Sequence, residues 1–359
     1  MAEPLVTVLI DTCNHERFIE EAIVSVLEQD FPAAETEILV VDDGSTDRTP
    51  EIVRKFEPRV RLLRKVNGGQ ASAFNAGIPE ARGEIVAFLD GDDWWAGNKL
   101  SRVTETMTAD PTLGFVGNSI VIVRRDGSAQ SEVLREDFRF QANSLEGARL
   151  FGVRGSFMGT SRMTIRRDIL LRVGSIPQEI VVQADEYLFT IAAILAGVQI
   201  LPDALTYYRL HDANGFQMSG NDPRRLRRKQ EALTALARGL SDQITTMKID
   251  PLARKAILGM AWANADQARL RLDGGWSWET VATEWKIYRV MHPDAPFPHR
   301  VFKSLALAAA LLMPPRLFYG VQSRVSQNNL YQFVRQHLLP VPGMAHLQRA
   351  WTTDSRKTQ

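Results

Sequence analysis

A five-residue apolar run that ends at three carboxylates constrains this chain more than any other feature. Residues 85–89, Ile-Val-Ala-Phe-Leu, are followed at once by Asp90, Gly91, Asp92 and Asp93. Such a run is typical of a strand buried on both faces in a parallel sheet. Open α/β sheets bind ligands beyond the carboxyl ends of their strands, which favours a binding site here over a solvated acidic turn. Asp oxygens suit Mg²⁺ or Mn²⁺, metals that hold phosphates.

The first 90 residues alternate between strand and helix patterns. The apolar residues 6–10 predict the first strand, and a second apolar run again ends at acids, Asp42 and Asp43. Between these strands, apolar residues at helical spacing predict an amphipathic helix over residues 15–29, with Asn14 as its N-cap. This alternation indicates a doubly wound α/β half-domain. No glycine-rich dinucleotide motif or P-loop follows the first strand, which argues against dinucleotide oxidoreductases and P-loop NTPases.

Charge divides the chain into two parts. The net charge is +1, but residues 1–219 carry 22 Lys and Arg against 32 Asp and Glu, a net charge of −10. Residues 220–359 carry 21 against 10, a net charge of +11, and their alanine- and leucine-rich segments predict helices. We therefore expect an α/β domain over residues 1–219, with halves at 1–95 and 96–219, and a helical region over 220–359.

Cysteine content and the amino terminus bear on the compartment. The single cysteine, Cys13, excludes an internal disulfide and a thiolate zinc cluster. The amino terminus lacks a basic segment followed by an apolar one, so we expect a cytoplasmic protein without a signal peptide. The longest apolar run, residues 305–313, has nine residues, whereas a transmembrane helix needs roughly 20. We expect no nucleic-acid partner.

The basic carboxyl-terminal part leaves two interpretations open for residues 300–340. A short apolar helix with basic flanks and aromatic neighbours is typical of a protein that lies in the interface of an anionic membrane, here at its inner face. A helix that packs in the core, or in a dimer contact, has the same pattern. The predicted apolar face consists of Phe302, Leu305, Leu307, Ala308, Leu311 and Leu312. The flanking residues are Arg300, Lys303, Arg316 and Arg324, followed by Phe318, Tyr319, Tyr331 and Phe333.

Four stretches, in order, resemble the motifs of family 2 glycosyltransferases. They are Val-Leu-Ile-Asp-Thr-Cys-Asn at residues 8–14, Val-Val-Asp-Asp-Gly-Ser-Thr-Asp at 40–47, Asn-Ala-Gly through Ala-Arg-Gly-Glu at 75–84, and Phe-Leu-Asp-Gly-Asp-Asp-Trp at 88–94. A shorter fifth match combines Ala-Asp-Glu at 184–186 with Tyr-Arg-Leu-His at 208–211. The resemblance covers residues 5–212. The first motif differs from the usual family pattern at Asp11 and Cys13.

The resemblance implies a GT-A fold, an α/β architecture with a mainly parallel sheet, here followed by the helical region. It also implies an inverting enzyme that moves a sugar from a nucleotide-diphospho-sugar, with UDP as the expected nucleotide, to an acceptor hydroxyl. The divalent metal would be Mn²⁺ or Mg²⁺. The acceptor would be a glycan or a lipid-linked glycan in cell-surface or extracellular polysaccharide or glycolipid synthesis. A catalytically silent nucleotide-sugar-binding scaffold and, less favoured, a nucleotidyltransferase remain as alternatives.

The resemblance also implies roles for individual residues. Asp185 would be the general base, with Glu186 as the reserve candidate. Asp92 would bind the metal, and His211 would contact the metal or a phosphate. The nucleotide-sugar-binding residues would be Thr12, Asn14, Asp42, Asp43, Asn75 and Asp90, with Asp42 and Asp43 at the base and ribose and Asp90 toward the ribose. These residue types suit the reaction, because a diphosphate leaving group needs cationic charge and a hydroxyl nucleophile needs a base.

Overall fold

The computed structural model describes residues 4–134, 136–153, 158–211, 222–293, 295–325 and 351–354. The chain forms two compact units. The first contains Met1–Gln141, Ser156–Asn214 and Trp351–Gln359, and the second contains Ala142–Gly155 and Gly215–Ala350. The expected domain boundary at residue 219 lies outside the described residues and stays a prediction.

Apolar runs form a mixed sheet in the first unit. Val8, Leu9 and Ile10 of the first strand are fully buried, as a strand covered on both faces requires. Among the described residues the sheet has eleven strands. They are β1 (Val6–Thr12), β2 (Thr36–Asp42), β3 (Val60–Arg64), β4 (Ile85–Asp90), β5 (Trp94–Trp95), β6 (Leu113–Val123), β7 (Ala129–Leu134), β8 (Phe138–Phe140), β9 (Thr164–Arg166), β10 (Gly197–Arg209) and β11 (Trp351–Asp354).

The amino-terminal strands are parallel, with β1 at their centre. Strand β1 pairs with β2 on one side and β4 on the other, and β3 pairs with β2. Beyond β4, the antiparallel β9 connects to β6, which pairs in parallel with β10. Strands β6 and β7 form an antiparallel hairpin, and β11 pairs with β7. The expected α/β architecture with a mainly parallel amino-terminal sheet is confirmed.

Helices connect the strands of the first unit. They are α1 (Ile19–Leu27), α2 (Thr49–Arg54), α3 (Gln70–Gly77), α4 (Lys99–Ala109), α6 (Arg167–Val173) and α7 (Ala184–Leu195), with α5 (Leu145–Val153) assigned to the second unit. The predicted start of α1 at residue 15 is wrong, as is the N-cap at Asn14. Asn14 has a positive φ of 58°, and residues 16–18 form a turn, in which the Phe18 amide donates to the His15 carbonyl, before the helix begins at Ile19.

The second unit is helical, as the composition of its sequence predicted. Asp222 and Asp250 cap its two longest helices, each followed by a proline at the first helical position. The Asp250 side chain accepts from the amides of Leu252 and Ala253 at 2.8 and 2.9 Å. Besides α5, the unit contains α8 (Pro223–Thr246), α9 (Pro251–Asp273), α10 (Trp278–Met291), α11 (Phe297–Leu312) and α12 (Pro315–Val325).

Candidate active site

The carboxyl ends of three parallel strands meet at one edge of the sheet. In the strand register, Thr12 at the end of β1 lies opposite Asp42 at the end of β2. On the other side of β1, Asp11 lies opposite Asp90, the last residue of β4. The strands end at polar residues, and the chain turns at this edge. The sheet therefore gathers acids that are far apart in sequence at the edge where α/β sheets bind ligands.

Asp90, Asp92 and Asp93 form a compact acidic cluster. One oxygen from each carboxylate lies within 4.8 Å of the others. Burial, followed by repulsion from Asp11 and Asp92, raises the pKa of Asp90 well above its ordinary value. The Asp93 carboxylate already has two hydrogen-bond donors. It accepts from the Ser161 hydroxyl at 2.6 Å and from the Arg209 backbone amide at 2.9 Å. Asp90 and Asp92 are therefore the better candidates for a ligand.

Two histidines lie beside Asp92. The Nε2 atoms of His211 and His15 lie 2.8 and 3.9 Å from Asp92 Oδ2. Burial raises the pKa of Asp92, but the His211 hydrogen bond and the nearby His15 outweigh it and hold the pKa below its ordinary value. Burial lowers the pKa of His15. The structure thus brings His211 to Asp92, and it adds His15, to which the sequence analysis gave no role.

These residues fit a hard divalent cation. Carboxylate oxygens are the ligands that Mg²⁺ and Mn²⁺ prefer, and an imidazole nitrogen is compatible with Mn²⁺. Repulsion among the carboxylates, which raises the pKa of Asp90, would be relieved by a cation. Asp90 and Asp92 are the residues placed to hold one, and His211 lies beside Asp92. The metal role of Asp92 and His211 stays a prediction.

Asp185 lies in the first turn of α7. Its Oδ1 accepts from the amide of Glu186 at 2.8 Å, and its Oδ2 lies 3.5 Å from the Thr160 hydroxyl. Gln70 donates to that hydroxyl at 2.9 Å and accepts from the Ala184 amide, which fixes Thr160 beside the acid. Burial raises the pKa of Asp185 to about 7, opposed by these hydrogen bonds. A carboxyl group with such a pKa can accept a proton near neutral pH.

A buried turn, Thr160–Arg162, connects the acids to the sheet. Thr160 faces Asp185, and the Ser161 hydroxyl donates to Asp93 and accepts from the Asp90 amide at 3.1 Å. The carbonyl of Ser161 accepts three hydrogen bonds of 2.6–2.9 Å. Their donors are the Trp95 indole, the Lys99 ammonium and the Thr206 hydroxyl. This turn therefore fixes the position of the acidic cluster relative to the rest of the sheet.

Replacing Ser161 with alanine is expected to lower the transfer rate by up to about 10²-fold, because misplaced reacting groups lose rate steeply. The change removes the hydroxyl that holds both Asp90 and Asp93. It should also cost about 1–3 kcal/mol of stability through the unsatisfied buried carboxyl. Steady-state kinetics and thermal unfolding measure the two effects. Ser101→Ala is the matched control, since its hydroxyl donates only to the Asn98 carbonyl on an exposed helix turn. Equal kinetics in the two variants would contradict the positioning role.

Asp42 and Asp43, the expected contacts to base and ribose, already have partners. Asp42 is fully buried, and its oxygens accept from Arg64 at 2.8 Å and from the Ser45 amide at 2.9 Å. Asp43 accepts from Lys65 at 2.6 Å and from the amides of residues 68 and 69. The acids therefore hold the loops at this edge in place, and their contact with a nucleotide stays a prediction.

The other residues predicted to bind the nucleotide-sugar, Thr12, Asn14 and Asn75, also have hydrogen-bond partners within the protein. Thr12 contacts the Nδ1 atom of His15 at 3.2 Å. The Asn14 side chain accepts from the amide of Thr46 at 2.9 Å, which connects the loops after β1 and β2. Both polar atoms of the Asn75 side chain bond the backbone of Ile176, at 2.7 and 2.8 Å. Asn75 thus braces a loop, and its role toward a donor stays a prediction.

Sequence reasoning missed several residues that contact the acids. The backbone amide of Arg209 donates to Asp93, and its guanidinium donates to the Asp92 carbonyl and stacks on Trp94. Burial and the charge of Asp92, opposed by a hydrogen bond with Asp90, raise the pKa of Asp11 to about 8. Arg209 lies within the motif at 208–211, so its position two residues before His211 was the available signal in the sequence. Asp11 directly follows the apolar residues 6–10, which was the available signal for it.

Comparisons with known proteins agree with the motifs. The family model described as glycosyl transferase family 2 matches residues 7–171. An uncharacterized glycosyltransferase of Nostoc sp. is 33% identical over 219 residues, which span 58% of this chain and 66% of that protein. Poly(ribitol-phosphate) β-N-acetylglucosaminyltransferase TarS of Staphylococcus aureus is 40% identical over 92 residues, which span 24% of this chain and 16% of TarS. The alignments thus span less than two thirds of each relative.

Solved structures extend the likeness of fold beyond the matched motifs. The crystal structure of S. aureus TarS residues 1–349 in complex with UDP-GlcNAc superposes with a TM-score of 0.59. The alignment covers 91% of this chain and 92% of that one at 19% sequence identity, a likeness that shows the fold alone. The expected GT-A fold is confirmed. Residues 7–171, which contain the four motifs that end at the acidic sheet edge, are therefore identified as a glycosyl transferase family 2 domain.

Proposed function

We propose that this protein transfers a sugar from a nucleotide-diphospho-sugar to an acceptor hydroxyl, with inversion at the anomeric carbon. The observation that carries the proposal is the pairing of two kinds of acid at one site. Asp90 and Asp92 form an open cluster suited to a cation, and Asp185 has a pKa of about 7. Thr160 contacts Asp185 and the adjacent Ser161 hydroxyl accepts from the Asp90 amide, so consecutive residues of one turn connect the two acids.

In the proposed reaction, the acceptor oxygen attacks the anomeric carbon while its proton moves to Asp185. The bond between the anomeric carbon and the phosphate oxygen breaks, and the nucleoside diphosphate leaves with the bonding electrons. A single displacement of this kind inverts the anomeric configuration. Thr160, held by Gln70, and the Glu186 amide hold the Asp185 carboxylate in place to accept the proton.

Asp90 and Asp92 would hold Mn²⁺ or Mg²⁺, which supplies positive charge to the leaving diphosphate. His211 is hydrogen-bonded to Asp92 and restricts the orientation of that carboxylate. Arg209 donates to the carbonyl of the same residue and fixes the backbone of the turn. These contacts position the acids before any ligand binds.

UDP is the proposed nucleotide. TarS, whose fold this chain shares, was crystallised with UDP-GlcNAc and with UDP. Its name describes transfer of N-acetylglucosamine to poly(ribitol-phosphate), and other relatives are named chondroitin synthase and hyaluronan synthase of Pasteurella multocida. These names support a glycan acceptor in polysaccharide synthesis, and our proposal also includes a lipid-linked acceptor in glycolipid synthesis. We place the reaction in the cytoplasm, at the inner face of the cell membrane.

The test is a screen of UDP-, GDP- and dTDP-sugars for release of the nucleoside diphosphate, in Mn²⁺ and in excess EDTA. We expect slow hydrolysis of UDP-sugars that requires the metal, since water can replace the acceptor. The scaffold alternative makes the opposite prediction: metal-dependent donor binding by calorimetry with neither hydrolysis nor transfer to any glycan. Release of pyrophosphate from a nucleoside triphosphate in the presence of a sugar phosphate would instead support a nucleotidyltransferase.

A further inference from the structure

One face of helix α11 is apolar and exposed to solvent. Its residues recur four, four, three and four positions apart, which places them on one narrow stripe of an α-helix. Leu305 and Leu312 are 65% and 86% exposed. Single exposed apolar residues need no explanation, but a contiguous apolar surface of this kind marks an interaction site. We call this surface the outer stripe; it consists of Phe297, Val301, Leu305, Ala308 and Leu312.

The opposite side of α11 is packed, so the outer stripe does not belong to a detached helix. Leu307 and Ala310 form a small core with Val281 of α10. The expectation that Leu307 and Leu305 share one apolar face is wrong, because Leu307 is buried and Leu305 is exposed. Residues two positions apart lie on different sides of a helix, and the packed core selects the side that holds Leu307. Core packing therefore accounts for one face of α11, whereas among the described residues the outer stripe is exposed.

Two exposed tryptophans lie beside the carboxyl-terminal end of α11. Trp276 and Trp278 are 91% and 65% exposed, and Ser277 between them donates to the Ala310 carbonyl at 2.7 Å. Arg316 of α12 donates to the last carbonyl of α9 at 3.0 Å, which joins this turn to the start of α12. Tryptophan, with its large apolar ring and one N–H group, is enriched where apolar and aqueous phases meet.

Positive charge predominates in the segment that carries this apolar surface. Residues 285–325, which include α11 and α12, contain six Lys and Arg residues against one acid. Lys286, Arg289, Arg300 and Arg316 are exposed. Among the described helices none is long and apolar enough to cross a bilayer, and α11 has only 16 residues. The helix can therefore lie along a membrane surface, with apolar residues in the acyl boundary and basic residues among anionic headgroups.

We propose that the outer stripe and the turn of Trp276 and Trp278 dock this protein in the interface of an anionic bilayer. A second copy of the chain fits this surface less well than a membrane does, because pairing two such surfaces would bring the basic residues of both copies together. The proposal rests on the proposed function only for its purpose, since docking would hold the enzyme at lipid-linked acceptors. Binding to vesicles does not require turnover, so the two proposals can fail separately.

The test is co-sedimentation of the full chain with vesicles of phosphatidylcholine alone or with 30% phosphatidylglycerol, a composition that makes the surface anionic. We expect binding to the anionic vesicles that weakens with added salt. Leu305→Asp with Leu312→Asp should reduce the apparent affinity about tenfold or more, because it puts two charges into the apolar stripe. Leu171→Asp is the matched control, since this leucine is 55% exposed on α6 of the first unit. Trp276→Ser with Trp278→Ser should also weaken binding.

Three results would overturn the proposal. They are a full chain that stays in the supernatant at low salt, equal binding to neutral and anionic vesicles, and no difference between the stripe variant and the control. Light scattering identifies the competing occupant: a dimer that the stripe variant converts to a monomer, with vesicle binding unchanged, would make the surface an interface between copies. If the stripe variant fails to fold by circular dichroism, the salt and lipid dependence of the unmodified chain decides the question.

Discussion

Asp185→Asn is expected to lower the rate of sugar transfer roughly 10²–10⁴-fold, the usual contribution of a general base, while leaving the affinity for the donor nearly unchanged. The amide keeps the shape of the side chain and can still contact Thr160 and the Glu186 amide. It cannot take the proton of the acceptor hydroxyl. Initial rates of transfer and calorimetric titration of the donor measure the two quantities separately. Glu186→Gln is the matched comparison, and a loss confined to that variant would assign the base to Glu186.

The pH dependence of transfer gives a second readout of the same residue. Burial raises the pKa of Asp185 to about 7, so the carboxyl group is protonated in acid and cannot serve as a base there. Transfer should therefore rise with pH, by about tenfold per pH unit below the pKa, and level off above it. The residual activity of Asp185→Asn should lack this rising limb. A profile that is flat between pH 5 and 8 in the unmodified protein, with a pH-independent chemical step, would exclude Asp185 as the group that titrates.

Asp92→Asn is expected to reduce both metal-dependent donor binding and turnover to background. The carboxylate is held ready by its hydrogen bond to His211, and the loss of one negative charge removes the strongest attraction for a divalent cation. Excess EDTA should have the same effect on the unmodified protein. Added Mn²⁺ should restore donor binding and turnover to the EDTA-treated protein but not to Asp92→Asn. Mn²⁺ binding followed by electron paramagnetic resonance measures the metal directly.

The control for this substitution is Asp30→Asn, which removes one carboxylate from an exposed position of the same unit. It separates loss of the binding site from a general change in charge. Full activity of the unmodified protein in excess EDTA would contradict the metal role. If Asp92→Asn kept its Mn²⁺ affinity and lost only turnover, Asp92 would be a residue that contacts substrate, and Asp90 would remain as the ligand.

Local patterns predicted the strands and the acids at their ends. An apolar run followed by Asp predicts a buried strand and its end, because a carboxylate is buried only where hydrogen bonds or opposite charges compensate it. Parallel pairing then brings Asp42 and Asp90 to one edge whatever the details of packing. The helical composition of the carboxyl-terminal part was equally local. The start of α1 was not, because the Asn14 side chain accepts from the Thr46 amide of the loop after β2 instead of capping the helix.

Contacts among distant residues could not be predicted. Ser161 reaches Asp90 and Asp93 across 71 and 68 residues, and Arg209 reaches the Asp92 carbonyl across 117. Such pairs depend on how the later strands join the sheet, and no periodicity records that. The raised pKa of Asp185 is of the same kind, since burial comes from the surrounding elements and not from the residue itself.

The sequence by itself determined three things: a mainly parallel amino-terminal sheet, the positions of the acids along it, and a helical region that follows. It could do so because the periodicity of strands and helices and the position of charges are local properties. Only the tertiary structure decided which acids are already engaged, as Asp43 and Asp93 are, and which stay available. It also decided which side of α11 is packed, since an apolar pattern is the same for a buried face and an exposed one. Burial is a property of neighbours in space, and it selects one of the arrangements that the sequence permits.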